Sequence, residues 1–315
     1  MARLGLFRMD IKQLRALLAV AETGSVTRAA GLLHIVQPAV SRHLKLLEED
    51  VGAPLFDRGR YGMELTEAGD ILVEYARRAL FELDRARAEI KPAMGTVSGV
   101  ATIGLLPSTA NLLAGALISA AKMRYPGIRI RLTVGYAGHL QQWLESGEVD
   151  AALLYNPKAL PAINARPLLE EQLYVVGPND SSLEPSVAVS FAELAQWPMI
   201  LPSAPHGIRS LLDQACLDSG VELDLVTETN SMDVQKALVM TGHGFTILPA
   251  IAVRDELTRG ELKAAPLTKP DLRRQIALAL PNTRRVTAPV RCATEILVEE
   301  MKSAVERGEW PAQWL

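Results

Sequence analysis

Residues 24–56, reading GSVTRAAGLLHIVQPAVSRHLKLLEEDVGAPLF, constrain this chain more than any other stretch. Ser25 is placed to cap a short helix through Arg28-Ala29-Ala30, which Leu32 and Leu33 close. His34-Ile35-Val36 turns the corner, and Pro38 falls in the first turn of a second helix, where its missing N–H costs nothing. In that helix Val40, Leu44 and Leu47 recur at i, i+4 and i+7 and form a buried stripe. Gln37, Ser41, Arg42 and Lys45 are left on the other side. Two short helices with a tight turn, the second showing amide, hydroxyl and cationic groups outward, meet the requirements of a DNA major groove. A helical hairpin inside some other all-α domain is the bland alternative.

Two further signatures follow, Leu55-Phe56-Asp57-Arg58 and Leu65-Thr66-Glu67-Ala68-Gly69. With them, about sixty residues resemble the N-terminal domain of LysR-type transcriptional regulators. One position departs from that pattern. Val36 stands before Gln-Pro where the family commonly has a small polar residue, and it has no side-chain acceptor with which to cap a helix. The expected DNA-binding residues are Ser25, Thr27, Arg28, Gln37, Pro38, Ser41, Arg42 and Lys45, with Arg58 and Arg60 on a two-stranded wing around Gly59–Gly62.

The charge distribution agrees with local rather than global contact to a polyanion. Residues 1–60 carry nine Lys/Arg against six Asp/Glu, while the other 255 carry 24 against 30. A mildly basic head on an acidic body suits docking on DNA better than coating it. The two cysteines, Cys216 and Cys292, lie far apart with no Cys/His cluster, so neither a disulfide framework nor a zinc site is expected, and a cytoplasmic location fits. No apolar run is long enough to span a bilayer. Residues 1–8 lack a signal peptide's apolar core and read as a loose extension.

Thr66 can cap a long helix from Glu67 to about Lys91, in which Leu72, Ala76, Ala79, Leu83, Ala86 and Ile90 alternate at spacings of four and three. That is a heptad seam, read as a dimerisation (linker) helix, with packing against its own domain as the alternative. Residues 92–99, PAMGTVSG, break the helix and make a hinge. Beyond it, strand-like runs (Val100–Leu105, Ile128–Val134, Ala151–Leu154, Leu173–Val176, Met199–Leu201, Leu223–Thr227, Phe245–Leu248, Gln275–Leu280) alternate with amphipathic segments. Such alternation specifies an α/β sheet with helices on its faces.

The same family resemblance extends here through Leu106-Pro107-Ser108, through 144–153 (LESGEVDAAL) and through 239–249 (VMTGHGFTILP). It implies a two-lobed effector domain similar to periplasmic binding proteins. The expected division is a winged helix-turn-helix at 1–66, linker helix and hinge at 67–95, and effector-binding domain at 96–315. Lobe I takes about 96–168 and 272–315, and lobe II about 169–271.

In open α/β lobes ligands bind beyond the carboxyl ends of strands, near helix N-termini. Three hydroxyl-bearing loops occupy such places: Pro107-Ser108-Thr109, Pro202-Ser203, and Thr229-Asn230-Ser231. Tyr136, after the second strand, joins them as an effector-binding candidate, and His206 and Arg209 could add charge. Taken singly, each Ser or Thr is ordinarily just a helix cap. Together they suggest a small-molecule effector, a carboxylate or other small anion.

No catalytic or metal motif is present, and no cofactor is implied. Gly242-His243-Gly244 lacks a third glycine and runs from helix to strand, so it reads as a helix end. The function expected from the resemblance is a ligand-responsive regulator of transcription. Its expected partners are double-stranded promoter DNA, RNA polymerase and copies of itself in a dimer or tetramer, with no membrane. The competing expectation is a cytoplasmic α/β small-molecule-binding protein or enzyme with an unrelated helical N-terminus.

Overall fold

The computed structural model describes residues 9–59, 62–90, 97–157, 161–204 and 206–315. Expectations placed on residues 1–8, on Arg60, on 92–96 of the hinge, and on the side chains of Arg58 and Ile90 lie outside the described residues. The chain divides into two compact units, Met1–Lys91 and Pro92–Leu315.

In the first unit, α1 (Ile11–Thr23) opens with a reciprocal cap: Gln13 N–H donates to Asp10 Oδ1 at 2.8 Å, and Asp10 N–H donates to Gln13 Oε1 at 2.9 Å. Gly24, at φ 62°, ends it. Helices α2 (Val26–Leu33) and α3 (Gln37–Val51) follow, separated by His34 in the left-handed region at φ 55°. Strands β1 (Phe56–Gly59) and β2 (Gly62–Leu65) form the wing, and α4 (Glu67–Ile90) leaves it. Leu14, Leu17, Val20, Ala29, Val40, Leu44, Leu47, Leu55 and Phe56 make one core. The wing is seated on the α1–α2 corner by a bond from Met63 N–H to Gly24 O of 3.0 Å. A Cβ on Gly62 would lie 2.4 Å from that same oxygen, so only glycine permits the approach.

The α4 seam needs correction at two positions. Thr66 caps the helix as expected, accepting from Gly69 N–H at 3.0 Å. Ala76 is buried in its own domain's core and Leu72 packs against that core, so neither is free for a partner helix. The apolar side chains left outside are Ile71, Tyr75 and Leu83, at 54%, 59% and 44% exposure, with Ala79 and Ala86 also exposed. Ile71, Tyr75, Ala79 and Leu83 recur every four residues and so form one continuous outer stripe.

The second unit opens with β3 (Gly99–Leu105), α5 (Pro107–Arg124), β4 (Ile128–Val134), α6 (Ala137–Ser146) and β5 (Ala151–Tyr155). Strand β6 (Ile163–Pro178) follows, then β7 (Val189–Ser190), β8 (Pro198–Pro202), α7 (Gly207–Ser219), β9 (Asp224–Thr229), α8 (Met232–Met240), β10 (Thr246–Pro249), α9 (Arg254–Arg259) and β11 (Leu262–Thr268). The chain ends with β12 (Arg273–Pro281), α10 (Ala288–Glu306) and β13 (Gln313–Trp314).

In lobe I, β3 lies parallel to β4 and β5, and β12 joins β5 to the first part of β6. From Leu173 onward β6 pairs with β10 and β11 of lobe II instead. One strand therefore belongs to both lobes, changing partners at Gln172/Leu173, and the return lies at Leu272/Arg273. Lobe I is packed around Ile103, Leu105, Leu117, Leu153, Ile276 and Leu297. Lobe II has its own core, including Leu173, Phe191, Leu201, Leu212 and Ile247. No helix among the described residues is long and apolar enough to cross a membrane.

Candidate functional site

Two places carry outward or convergent chemistry, one in each unit. In the first, α3 buries Val40, Leu44 and Leu47, which turns Gln37, Arg42 and Lys45 to solvent with Ser41 half-buried beside them. Gln37 Nε2 donates to Ser41 Oγ at 3.1 Å, one helical turn away, so the amide and hydroxyl are already aligned. Lys45 lies 3.9 Å from Glu49 with both side chains well exposed, a contact that water screens to little net worth. Ser25 caps α2, accepting from Arg28 N–H at 3.4 Å, while Thr27, Arg28 and Pro38 are exposed. Val36 occupies the N-cap of α3 without any side-chain bond and is 69% exposed. Its carbonyl takes the Ala39 N–H at 2.9 Å and Pro38 has no N–H, so this helix start offers few donors to a phosphate.

The second place is the cleft between the lobes of the second unit. It is lined by Pro107 and Ser108 at the start of α5, Tyr136, Tyr155, Pro202, His206, Met232, Gln235 and Arg274, and encloses about 30 Å³. Of the effector candidates, Pro107, Ser108, Tyr136 and Pro202 are brought together there. Thr109 is fully buried, its hydroxyl donating to Leu106 O at 3.0 Å within its own turn. Ser203, Thr229 and Ser231 do not line the cleft. Ser231 caps α8 by accepting from Val234 N–H at 3.4 Å, and Thr229 Oγ1 accepts from Ser231 N–H at 3.2 Å. Their hydroxyls serve the local turn, as those of Ser and Thr before helices usually do.

What the sequence reading missed is the charge. Arg274 Nε donates to Glu171 Oε1 at 2.6 Å, the two side chains being 4% and 1% exposed. Glu171 Oε2 accepts from Trp310 Nε1 at 2.7 Å, and Arg274 Nη2 donates to Ser108 Oγ at 2.9 Å. The guanidinium also sits 5.3 Å above the Tyr155 ring. Arg274 Nη1 takes no protein hydrogen bond among the described residues. Lys236, in the adjoining hollow, is by contrast closed off by Glu256 at 2.8 Å and Ala252 O at 3.3 Å.

His206 adds no charge at neutral pH. Burial, with Arg274 nearby, pushes its pKa from 6.5 down to about 4. Its Nδ1 accepts from Ile208 N–H at 3.3 Å, which places the ring's own N–H on Nε2. The cleft thus holds one cation that is half-neutralised from behind, hydroxyls, and a neutral imidazole.

The Bacterial regulatory helix-turn-helix protein, lysR family, matches residues 11–70, and the LysR substrate binding domain matches residues 95–302. The chain is a LysR-type transcriptional regulator. The regulator is 30% identical over 305 residues to the HTH-type transcriptional regulator BbuR of Bordetella bronchiseptica, covering 96% of this chain and 93% of that one. It is 28% identical over 304 residues to the nitrogen assimilation regulatory protein nac of Escherichia coli, covering 96% and 99%. Among solved structures, full-length CbnR in complex with its target DNA matches with a TM-score of 0.72 at 23% identity, covering 94% of this chain and 100% of CbnR. The regulator is therefore a DNA-binding protein with an effector-binding domain, of the winged-head and two-lobed-body architecture.

Proposed function

We propose that this regulator responds to a small organic anion bound in the cleft between its lobes, with Arg274 as the charge partner. The observation that supports this most directly is the buried guanidinium facing the cavity with Nη1 unengaged, beside the Ser108 hydroxyl it already orients. An Arg fork in a partly dry site favours a carboxylate over a neutral ligand. The same groups speak against catalysis there. Ser108 receives a hydrogen bond from a cation rather than giving one to a base, and the His206 Nδ1 lone pair is taken.

On the DNA side, Gln37, Ser41 and Arg42 contact bases and Lys45 the backbone, with the wing flanking them. Outer α4, including Leu83, is assigned to pairing with a second copy, two heads then addressing two half-sites. The cytoplasm is the expected compartment and RNA polymerase the expected downstream partner. Effector binding changes promoter occupancy or bending only if it favours one arrangement of the lobes over another. The test is calorimetric titration of the full chain with a panel of small carboxylates, followed by Ser108→Ala and Arg274→Gln in a promoter reporter. A lost bond to a charged ligand is worth roughly 1.5–3 kcal/mol, so the Ser108→Ala dose curve shifts by about tenfold or more. A curve that overlays the parent's rejects the cleft.

A further inference from the structure

The lobes touch across the cleft through bonds that occupy the very places an acceptor ligand would take. Helices α7 and α8 of lobe II begin at Gly207 and Met232. The first N–H groups of a helix have no intrahelical partner and carry the positive end of its dipole. Here both are already engaged by lobe I. Gly207 N–H donates to Tyr155 Oη at 2.9 Å, and Met232 N–H donates to Tyr136 Oη at 3.0 Å.

The fit is specific to these residues. A Cβ on Gly207 would lie 1.9 Å from Tyr155 Cε2, so the ring reaches its seat only because position 207 has no side chain. His206 stands between the rings, edge-on to Tyr136 at 4.9 Å between centroids and 5.9 Å from Tyr155. The space left between these groups is about 30 Å³, enough for a water or two. Burial pushes both tyrosine pKa values upward, so the two seats are filled by neutral phenol hydroxyls.

We propose that Tyr136 and Tyr155 form a latch, their hydroxyls standing in for effector oxygens, and that an effector binds by evicting at least one of them. The proposal rests on the reading of the cleft as the effector site. It also sets the ligand's chemistry. To displace a neutral phenol, an incomer needs a stronger acceptor, and a carboxylate oxygen makes bonds to N–H about twice as strong as a neutral one. Arg274 adds attraction that an uncharged isostere does not feel. A carboxylate therefore opens the latch where the matching amide or alcohol does not.

The test uses the purified full chain with sodium acetate as probe and acetamide as its uncharged counterpart, at constant ionic strength. Parent, Tyr136→Phe, Tyr155→Phe, the double variant and Arg274→Gln are titrated, with hydrogen exchange followed at residues 206–212 and 231–236. Phenylalanine keeps each ring and removes the competing hydroxyl. The double variant is expected to bind acetate about tenfold more tightly than the parent, in line with the net worth of a pair of neutral hydrogen bonds. Exchange at both helix starts should rise without acetate and fall with it, and acetamide should do neither. Gly207→Ala, which expels Tyr155 sterically, is expected to move acetate affinity the same way. Equal affinity in the parent and all tyrosine variants, with binding still lost in Arg274→Gln, overturns the latch and leaves the cleft reading standing. Acetate binding that is absent throughout, or indifferent to Arg274→Gln, overturns both.

Discussion

The α3 face and the cleft solve recognition in opposite ways. On α3 the outward polar groups lie within nine residues, Gln37 to Lys45, on one side of one helix. In the cleft, Ser108 at the start of α5 meets Arg274 of β12 across 166 positions, and Arg274 meets Glu171 of the neighbouring β6 across 103. Groups of the first kind bind something large that comes to them and supplies most of the contact. Groups of the second kind must be prearranged, because a small ligand brings little surface with which to organise its own site.

If that contrast is right, a substitution in the cleft should disturb the fold, while one on α3 should disturb only DNA binding. The largest expected effect is for Arg274→Met. It leaves Glu171 buried with only the Trp310 N–H as partner, and breaking one side of a buried pair costs about 3–5 kcal/mol. Denaturant unfolding of the full chain should show that loss, whereas Arg42→Ala on α3 should leave the midpoint unmoved. An Arg274→Met variant as stable as the parent would mean the cleft is not prearranged by this pair.

Next in size is a pH effect confined to the cleft. The pKa of His206 is held at about 4 against 6.5 in an unfolded chain, so between those values the unfolded state binds the extra proton. Stability from this group is present above pH 6.5 and is lost as pH falls toward 4, by roughly 3 kcal/mol in total. His206→Gln should flatten the stability profile over that window. An unaltered profile would assign the acid sensitivity elsewhere.

On α3 the effects should be smaller and of another kind. Gln37→Ala is expected to cost about 1–3 kcal/mol of discrimination between the operator and a scrambled site, with little change in folding. Competition binding decides it: a constant specificity ratio removes Gln37 from base contact. Smallest is Lys45→Ala, expected to weaken all DNA binding alike and reduce the salt slope by about one unit. A change in sequence preference instead would move Lys45 from backbone to base readout.

The same contrast explains what the sequence disclosed. The stripe Val40, Leu44, Leu47 and the Gln37–Lys45 face repeat at helical spacing, so local periodicity alone separates inside from outside. Strand β4 was legible at Ile128–Val134 with the bounds observed. The first half of β6, INARPLLEEQ, was not: over most of that length it pairs on one side only, with β12, so its outer edge keeps polar residues and Pro167 and shows no clean apolar alternation. Strand β11 carries Pro266, which argues against a central strand, and α9 is too short to show a period. On α1 the buried stripe is Leu14, Leu17 and Val20, while the apolar Ile11 at its start is exposed. In the cleft the same limit decides the outcome. Hydroxyls before helices were visible locally, and four of the eight effector candidates line the cavity. Nothing near Arg274 in the sequence distinguishes it from Arg273, which is exposed and paired with Asp271 at 2.7 Å. Only the return strand's register turns one arginine inward and the other out.

That shared strand β6 is also part of the joint between the lobes. It keeps its ladder on both sides of Gln172/Leu173, and two bonds brace that point: Leu173 N–H to Leu272 O at 2.8 Å and Gln172 Nε2 to Leu267 O at 2.9 Å. A joint of this construction behaves as a torsion bar rather than a door hinge. Rotation of one lobe against the other is taken up as added twist in two neighbouring strands, with a restoring force that grows with angle. Any twist of one lobe against the other is therefore spread along two paired strands rather than concentrated at a single residue.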